Sequence, residues 1–386
     1  MTFGDITKKL KSVKWSHYIA YIVIIVFTVI CMLSGNLKRT DIYLLEKIGI
    51  SIILAVSLNF IVGFLGELSL GHAGFMCIGA YLGGKVSSML VGSMGNGILT
   101  LIISVIVGGI FAALAGFVIG LPALRLKGDY LAIVTLAFGQ IALIIFQNSN
   151  YETFGGAFGL DTPRYDYNSL YIIIFVFAII TIAAFQNVIR SKHGRAITAI
   201  RDNEIAAKAT GVPVTQYKLF TFVMAAFFAG VAGVLYSYTQ SKVQCTHFDY
   251  NYSIEILVMV VLGGMGSLNG SIAAAALITF LNEKLATVLT GNLAVLQNIF
   301  YSLVLILIVI YSNAPAFKNI REKYNFKKFK SLIMRKRDPG YISDDEGSWD
   351  RIPTKIKMDE LLSVDISVQS DKDGSTSDST GGDENE

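Results

Sequence analysis

Charged residues are scarce in this sequence: they make up 16% of its 386 residues, against about 25% in ordinary soluble domains. They are also absent in blocks. No Asp, Glu, Lys or Arg lies between Lys14 and Lys38, Lys47 and Glu67, or Lys85 and Arg125. Further charge-free runs separate Asp129 from Glu152, Asp166 from Arg190, Lys218 from Lys242, Glu255 from Glu283, and Lys284 from Lys318. Each is long enough for the roughly 20 apolar residues with which a helix crosses a bilayer core. Helices packed in a soluble core would carry charge on their outer faces, so a soluble globular protein is excluded.

Cysteine and histidine are equally sparse. Cys31, Cys77 and Cys245 stand at unrelated spacings, which excludes a disulfide framework or a cysteine metal cluster. The four histidines are scattered, and no nucleophile stands beside a base, so a membrane enzyme has no support. One phosphate-loop lookalike, Gly79 to Val86, ends in Val86 where the pattern needs the Ser or Thr that holds magnesium. It also lies inside an apolar run, so the chain carries no recognisable ATP site of its own.

What is present is a succession of apolar spans, expected near 18–34, 43–63, 69–91, 97–120, 130–149, 169–189, 218–239, 252–268, 270–289 and 294–312. The fold class that follows is an all-α polytopic membrane protein of about ten transmembrane helices, some interrupted by glycine, with a disordered C-terminal tail. The first span follows Lys8, Lys9, Lys11 and Lys14 and no small-residue cleavage site comes after it, which reads as a retained helix. Lys and Arg in short loops mark the inner side. The basic N-terminus (1–17) is therefore inside, as is the 190–218 connection with Arg190, Lys192, Arg195, Arg201, Lys208 and Lys218. Both termini then face the cytoplasm, and 252–268 has to cross. Lys38, Arg39 and Lys47 run against this pattern, since they fall on an expected outer loop.

The membrane domain spans 18–317 and a basic-then-acidic tail covers 318–386. From Asp338 the tail holds fourteen acids against four bases, a composition that cannot bury enough apolar surface to order itself. The basic stretch 318–337 suits anionic lipid rather than nucleic acid.

Small-residue pairs at Gly79/Gly83, Gly116/Gly120 and Ala229/Gly233 predict close helix contacts. Two glycine-rich breaks are expected at membrane depth, where irregular backbone is tolerated only against protein or a cavity. In the first, Glu67, Ser69, Gly71 and His72 follow Asn59; in the second, Gly263, Gly264 and Gly266 follow Glu255. These are candidate substrate-pathway residues, because ionisable groups in a membrane usually face a pathway or a partner. Other readings stay open: Glu67 as an inner-loop residue, Glu255 as an interfacial one, and His72 as a helix-to-helix hydrogen-bonding group. In 190–218, Ala196, Ile197, Ile200, Ile205, Ala206 and Ala209 give an amphipathic helical pattern that stops at Gly211 and Pro213. Such a helix suits a partner's groove or the membrane surface.

Four ordered blocks resemble the permease subunits of branched-chain amino-acid ABC importers: Ser57-Leu-Asn-Phe60 with Gly66-Glu-Leu-Ser-Leu-Gly-His-Ala-Gly-Phe75, then Leu124 to Phe138, the 190–218 loop, and Ser253 to Gly270. The resemblance spans roughly 42–312. It implies a second homologous permease subunit, cytoplasmic ATPase subunits that bind ATP and Mg, and an extracytoplasmic substrate-binding protein, all at the cell membrane. It also implies that Arg195, Arg201, Glu204, Ala206, Ala207 and Gly211 belong to a loop that couples to the ATPase. Related permeases for urea or short amides share these motifs. An ion-coupled secondary transporter would need Glu67 or Glu255 as its coupling acid, and a structural or signalling membrane protein would show no transport.

Overall fold

The computed structural model describes residues 38–288 except 96, 127 and 166, together with 303 and 306. The spans expected at 18–34 and 294–312, apart from those two positions, and the tail from 318 lie outside the described residues. Six helices in the described part are long and apolar enough to cross a membrane, and the chain is a multi-pass membrane protein.

Helix α1 (Arg39–Asn59) runs on through a wide π-type turn, Phe60–Leu65. It is almost wholly buried and forms the axis of the bundle. Its side chains are largely apolar because protein surrounds most of the helix. Gly66, at φ +82°, ends it with its N–H on the Ile61 carbonyl, a left-handed cap that glycine adopts without strain. After an irregular 66–71 the chain forms α2 (His72–Met94), then α3 (Ile98–Ala123) and α4 (Asp129–Gln147). Ile102, Ile106, Ile110 and Phe117 of α3 are exposed, forming an apolar stripe suited to lipid. A short helix, α5 (Tyr151–Phe154), precedes α6 (Tyr167–Arg190).

Two short helices follow, α7 (Lys192–Asp202) and α8 (Glu204–Ala209). The sequence pattern suggested one helix here. Asn203 divides it, because its side chain accepts the Ala206 N–H and caps α8. Helix α9 (Val214–Thr239) then packs along α2 and α3. The contacts are made by small residues, as the pairs predicted. A Cβ at Gly79 would lie 2.2 Å from the Gly230 carbonyl oxygen, and one at Gly233 would lie 2.0 Å from that of Met76.

The stretch expected as the span 252–268 is different. Helix α10 (Tyr250–Gly263) has 14 residues, about 21 Å of helix, too short for a core of roughly 30 Å. Irregular chain supplies the remaining passage. Gln240 lies beside Tyr43 at one end of the bundle. Strand β2 (Lys242–Val243) then pairs with β1 (Leu160–Asp161), and the Val243 carbonyl takes the hydroxyl of Tyr81, halfway along α2. The Cys245 thiol also donates to that hydroxyl, at 2.8 Å. Non-helical backbone is thus satisfied inside protein, as lipid depth demands. Helix α11 (Leu268–Val288) returns antiparallel to α10. It is long enough to cross, but Asn282, Glu283 and Lys284 make its last turns polar.

Candidate functional site

Three arrangements concentrate the polar groups of the described residues. At one end, the second glycine break turns beside the end of α1. Asn59 is fully buried; its Nδ2 donates to the Ser267 carbonyl (3.1 Å) and Ser271 Oγ (2.9 Å), while its Oδ1 accepts the Gly266 N–H (2.9 Å). Gly264 and Gly266 hold φ near +90° and +81° in that turn. A Cβ at Gly263 would be 2.5 Å from the Gly270 carbonyl carbon, so α10 and α11 meet backbone to backbone. On the other side, Arg201 of α7 donates from Nη1 to the Gly63 carbonyl at 3.0 Å and clasps Asp202. The wide turn at Phe60–Leu65 alters the regular helical pairing around Gly63, and Arg201 occupies its carbonyl.

Beside it, Lys218 of α9 is 4% exposed and reaches Glu67 at 2.6 Å and Glu204 at 3.3 Å. Glu67, expected on a pathway, therefore binds the loop after α1 to α9 and α8. In the same loop the backbone at Gly71 leaves no room for a side chain: a Cβ would be 2.3 Å from the Thr135 carbonyl oxygen. His72 is buried and shares a 2.8 Å hydrogen bond with Ser57 Oγ, joining α2 to α1. Its Nδ1 and the hydroxyl of Ser69 are buried without partners.

On the outside of this end, α7 and α8 present an exposed surface. Ile205 is 79% exposed, and Ala206 beside it is exposed while Ala207 is buried against the bundle. Arg195 is exposed, and its Nη1 donates to the Arg190 carbonyl at 3.5 Å. Gly211 (φ +84°) turns the chain toward α9 with open space around it. The aligned apolar residues of the sequence pattern thus divide: Ile197 and Ile200 enter the core, and Ile205 faces outward.

Toward the other end lies a cavity of about 220 Å³ between α1, α2, α9, α10 and α11. Tyr43, Lys47, Ile50 and Ser51 form one face of α1 toward it, at spacings of four, three and one. Helix α11 contributes Thr279, Asn282 and Glu283, and α10 contributes Tyr252 and Glu255. The wall is completed by Met76, Tyr236, His247 and Phe248. Of the residues expected on a pathway, Glu255 lines this cavity; its Oε1 accepts Asn282 Nδ2 at 3.2 Å. The glycines of the second break do not line it; they form the turn at the opposite end. Lys47 forms an ion pair with Glu283 and lies 4.7 Å over the Tyr43 ring. Sequence reasoning passed over Lys47 and Glu283. The signal was there, in the polar positions 43, 47 and 51 recurring every fourth residue through an otherwise apolar span.

Comparison with known proteins bears on this architecture. Residues 42–309 match the family described as the branched-chain amino acid transport system / permease component. The chain is 34% identical over 291 residues to the high-affinity branched-chain amino acid transport system permease protein LivM of Escherichia coli (strain K12), over 65% of this chain. It spans 66%, just under two thirds, of that protein's length. It is 29% identical over 258 residues to a probable branched-chain amino acid transport permease protein LivM of Methanocaldococcus jannaschii, covering 58% of this chain and 74% of that one. The ribose import permease protein RbsC of Escherichia coli (strain K12) is 23% identical over 285 residues, 70% of this chain and 84% of its own. No solved structure matches. Matched by the family over more than half its length, and built as a bundle of membrane-crossing helices, the chain belongs to the permease components of branched-chain amino acid transport systems.

Proposed function

We propose that this chain is the membrane-spanning subunit of an ATP-driven importer for branched-chain, apolar amino acids. It works with a second homologous permease, cytoplasmic ATPase subunits and an extracytoplasmic binding protein. ATP and Mg are held by the ATPase. The observation that carries the reading is the α7–α8 pair: two short capped helices offering an exposed Ile205 and Ala206, while Arg201 and Lys218 fasten them to the broken end of α1. An apolar knob on a small-residue helix suits a partner's groove. Its attachments are to the elements that would have to move. The family match and the LivM relatives support the amino-acid cargo.

In this reading the α7–α8 face is cytoplasmic. Motion imposed on it passes to the end of α1 and to the α10–α11 turn, and so opens the central space alternately to each side. Because a conformational change needs a ligand that distinguishes the two states, nucleotide binding in the partner drives the switch. Selectivity is shared with the binding protein.

The test is co-purification and reconstitution. The chain should copurify with an ATP-hydrolysing subunit. Proteoliposomes of the complex with its binding protein should take up radiolabelled leucine, isoleucine or valine only with ATP inside, and urea should not enter. Proton-driven uptake by the lone chain would overturn the reading.

A further inference from the structure

The cavity at Lys47 and Glu283 carries an inference that rests on the importer reading and goes beyond it. We infer that this space, lined by a single subunit, is a binding site for one free amino acid with an apolar side chain. Lys47 would take its carboxylate and Glu283, with Glu255, its ammonium.

Size comes first. A volume near 220 Å³ equals the liquid share of about seven waters at ~30 Å³ each. That is room for one small solute.

Charge is more selective. Lys47 on α1 and Glu283 on α11 meet at the wall of the cavity in a direct ion pair, both partly buried. Removing one member of such a pair is costly because the other is left without its counter-charge. A zwitterion placed between them turns one ion pair into two. Its carboxylate accepts from the Lys47 ammonium and its ammonium donates to the Glu283 carboxylate, so no charge is stranded. A carboxylic acid without an amine would strand Glu283. An amine without a carboxylate would strand Lys47. Glu255, on the same wall and joined to Asn282, gives the ammonium a second carboxylate.

Two further features point inward. Thr279 lines the cavity, is only 6% exposed, and its hydroxyl has no partner. A buried hydroxyl left unpaired is disfavoured, and a bound carboxylate would receive it. The rest of the wall is apolar at Ile50, Met76 and Phe248, where an aliphatic side chain would be buried. The helices bearing these groups are those pinned at the other end by Asn59. Separation of α1 from α11 would open the site and break the charge clasp together.

The experiment uses the whole permease–ATPase complex without the binding protein, so that selectivity belongs to the membrane subunits. Equilibrium binding of radiolabelled leucine is measured, with isovalerate and 3-methylbutylamine as competitors that each lack one charge. Leucine should be displaced by isoleucine and valine, while each competitor should be at least about tenfold weaker. E283Q should weaken leucine binding by about tenfold or more, and T279V, which keeps the shape, by severalfold. Where E283Q does not assemble, the competitors on the wild-type complex and T279V decide. Leucine binding of unchanged affinity in both variants, or equal competition by isovalerate, would overturn the site while leaving the importer reading intact. Absence of any ATP-driven amino-acid uptake by the wild-type complex supplied with its binding protein would overturn the importer reading itself.

Discussion

At the scale of single residues, Lys218 is a buried charge that depends on its partners. An ammonium with 4% of its side chain exposed is tolerated because Glu67 is 2.6 Å away and Glu204 3.3 Å away. Glu67 is itself only 13% exposed, so the pair is shielded from solvent and each charge depends on the other. Lys218→Met should destabilise the purified protein by about 3 kcal/mol, since it leaves a buried carboxylate without its cation. Lys218→Met with Glu67→Leu should recover much of that loss, because two apolar groups of similar volume replace the pair. Thermal unfolding in detergent measures both. Equal melting of the single and double variants would show that the charges are not coupled. Glu204, at 34% exposure, contributes less, and its removal alone should be mild. From the sequence, Glu67 was visible as an acid in a glycine-rich break. Its partner lies 151 positions away and nothing in local pattern joins them.

At the scale of elements, charge-free runs located the helices well because lipid and buried helix packing both exclude charge. They located ends less well. Ends are decided by caps such as Gly66 and Asn203. For the span expected at 252–268 the charge-free run located α10 (Tyr250–Gly263) but not its shortness, because irregular backbone satisfied by Tyr81 carries the chain inward before α10 begins. The cavity was hidden for another reason, since its wall is assembled from helices far apart in sequence. The links between elements carry a prediction of their own. Arg201 reaches Gly63, and one helical turn earlier Asn59 holds the Gly266–Ser271 turn, so α7 is joined to α10 and α11 through two sets of hydrogen bonds. Asn59→Leu keeps side-chain size but leaves the Gly266 N–H and Ser267 carbonyl unanswered. It should lower ATP-driven uptake by about tenfold, as expected when buried groups worth ~1–3 kcal/mol lose partners, while the partner ATPase continues to hydrolyse ATP. Uptake and hydrolysis falling in proportion would show that the junction is structural and transmits nothing.

At the scale of the whole molecule, the two ends differ in how their charges are answered. One end carries α7, α8 and the 190–218 cations, with Arg195 and Lys192 exposed. The other carries Asp41, Lys284, Lys47 and Glu283, where the cations meet acids: Lys284 lies 3.9 Å from Asp41 and Lys47 pairs with Glu283. Lys38, Arg39 and Lys47 had counted against placing this end outside, because loop statistics treat every Lys as free. Lys47 instead lines the cavity and pairs with Glu283, and Lys284 is matched by Asp41. The orientation with the α7–α8 end in the cytoplasm then loses much of its opposing evidence. It can be checked directly. In a background with the native cysteines replaced, a cysteine at Ile205, which is 79% exposed, should react with a membrane-impermeant maleimide in inside-out vesicles and not in intact cells. A cysteine at Asp161, whose side chain is 76% exposed at the other end, should show the reverse. The opposite labelling pattern would put α7 and α8 outside the cell, out of reach of any cytoplasmic ATPase, and the proposed coupling surface would fall with it.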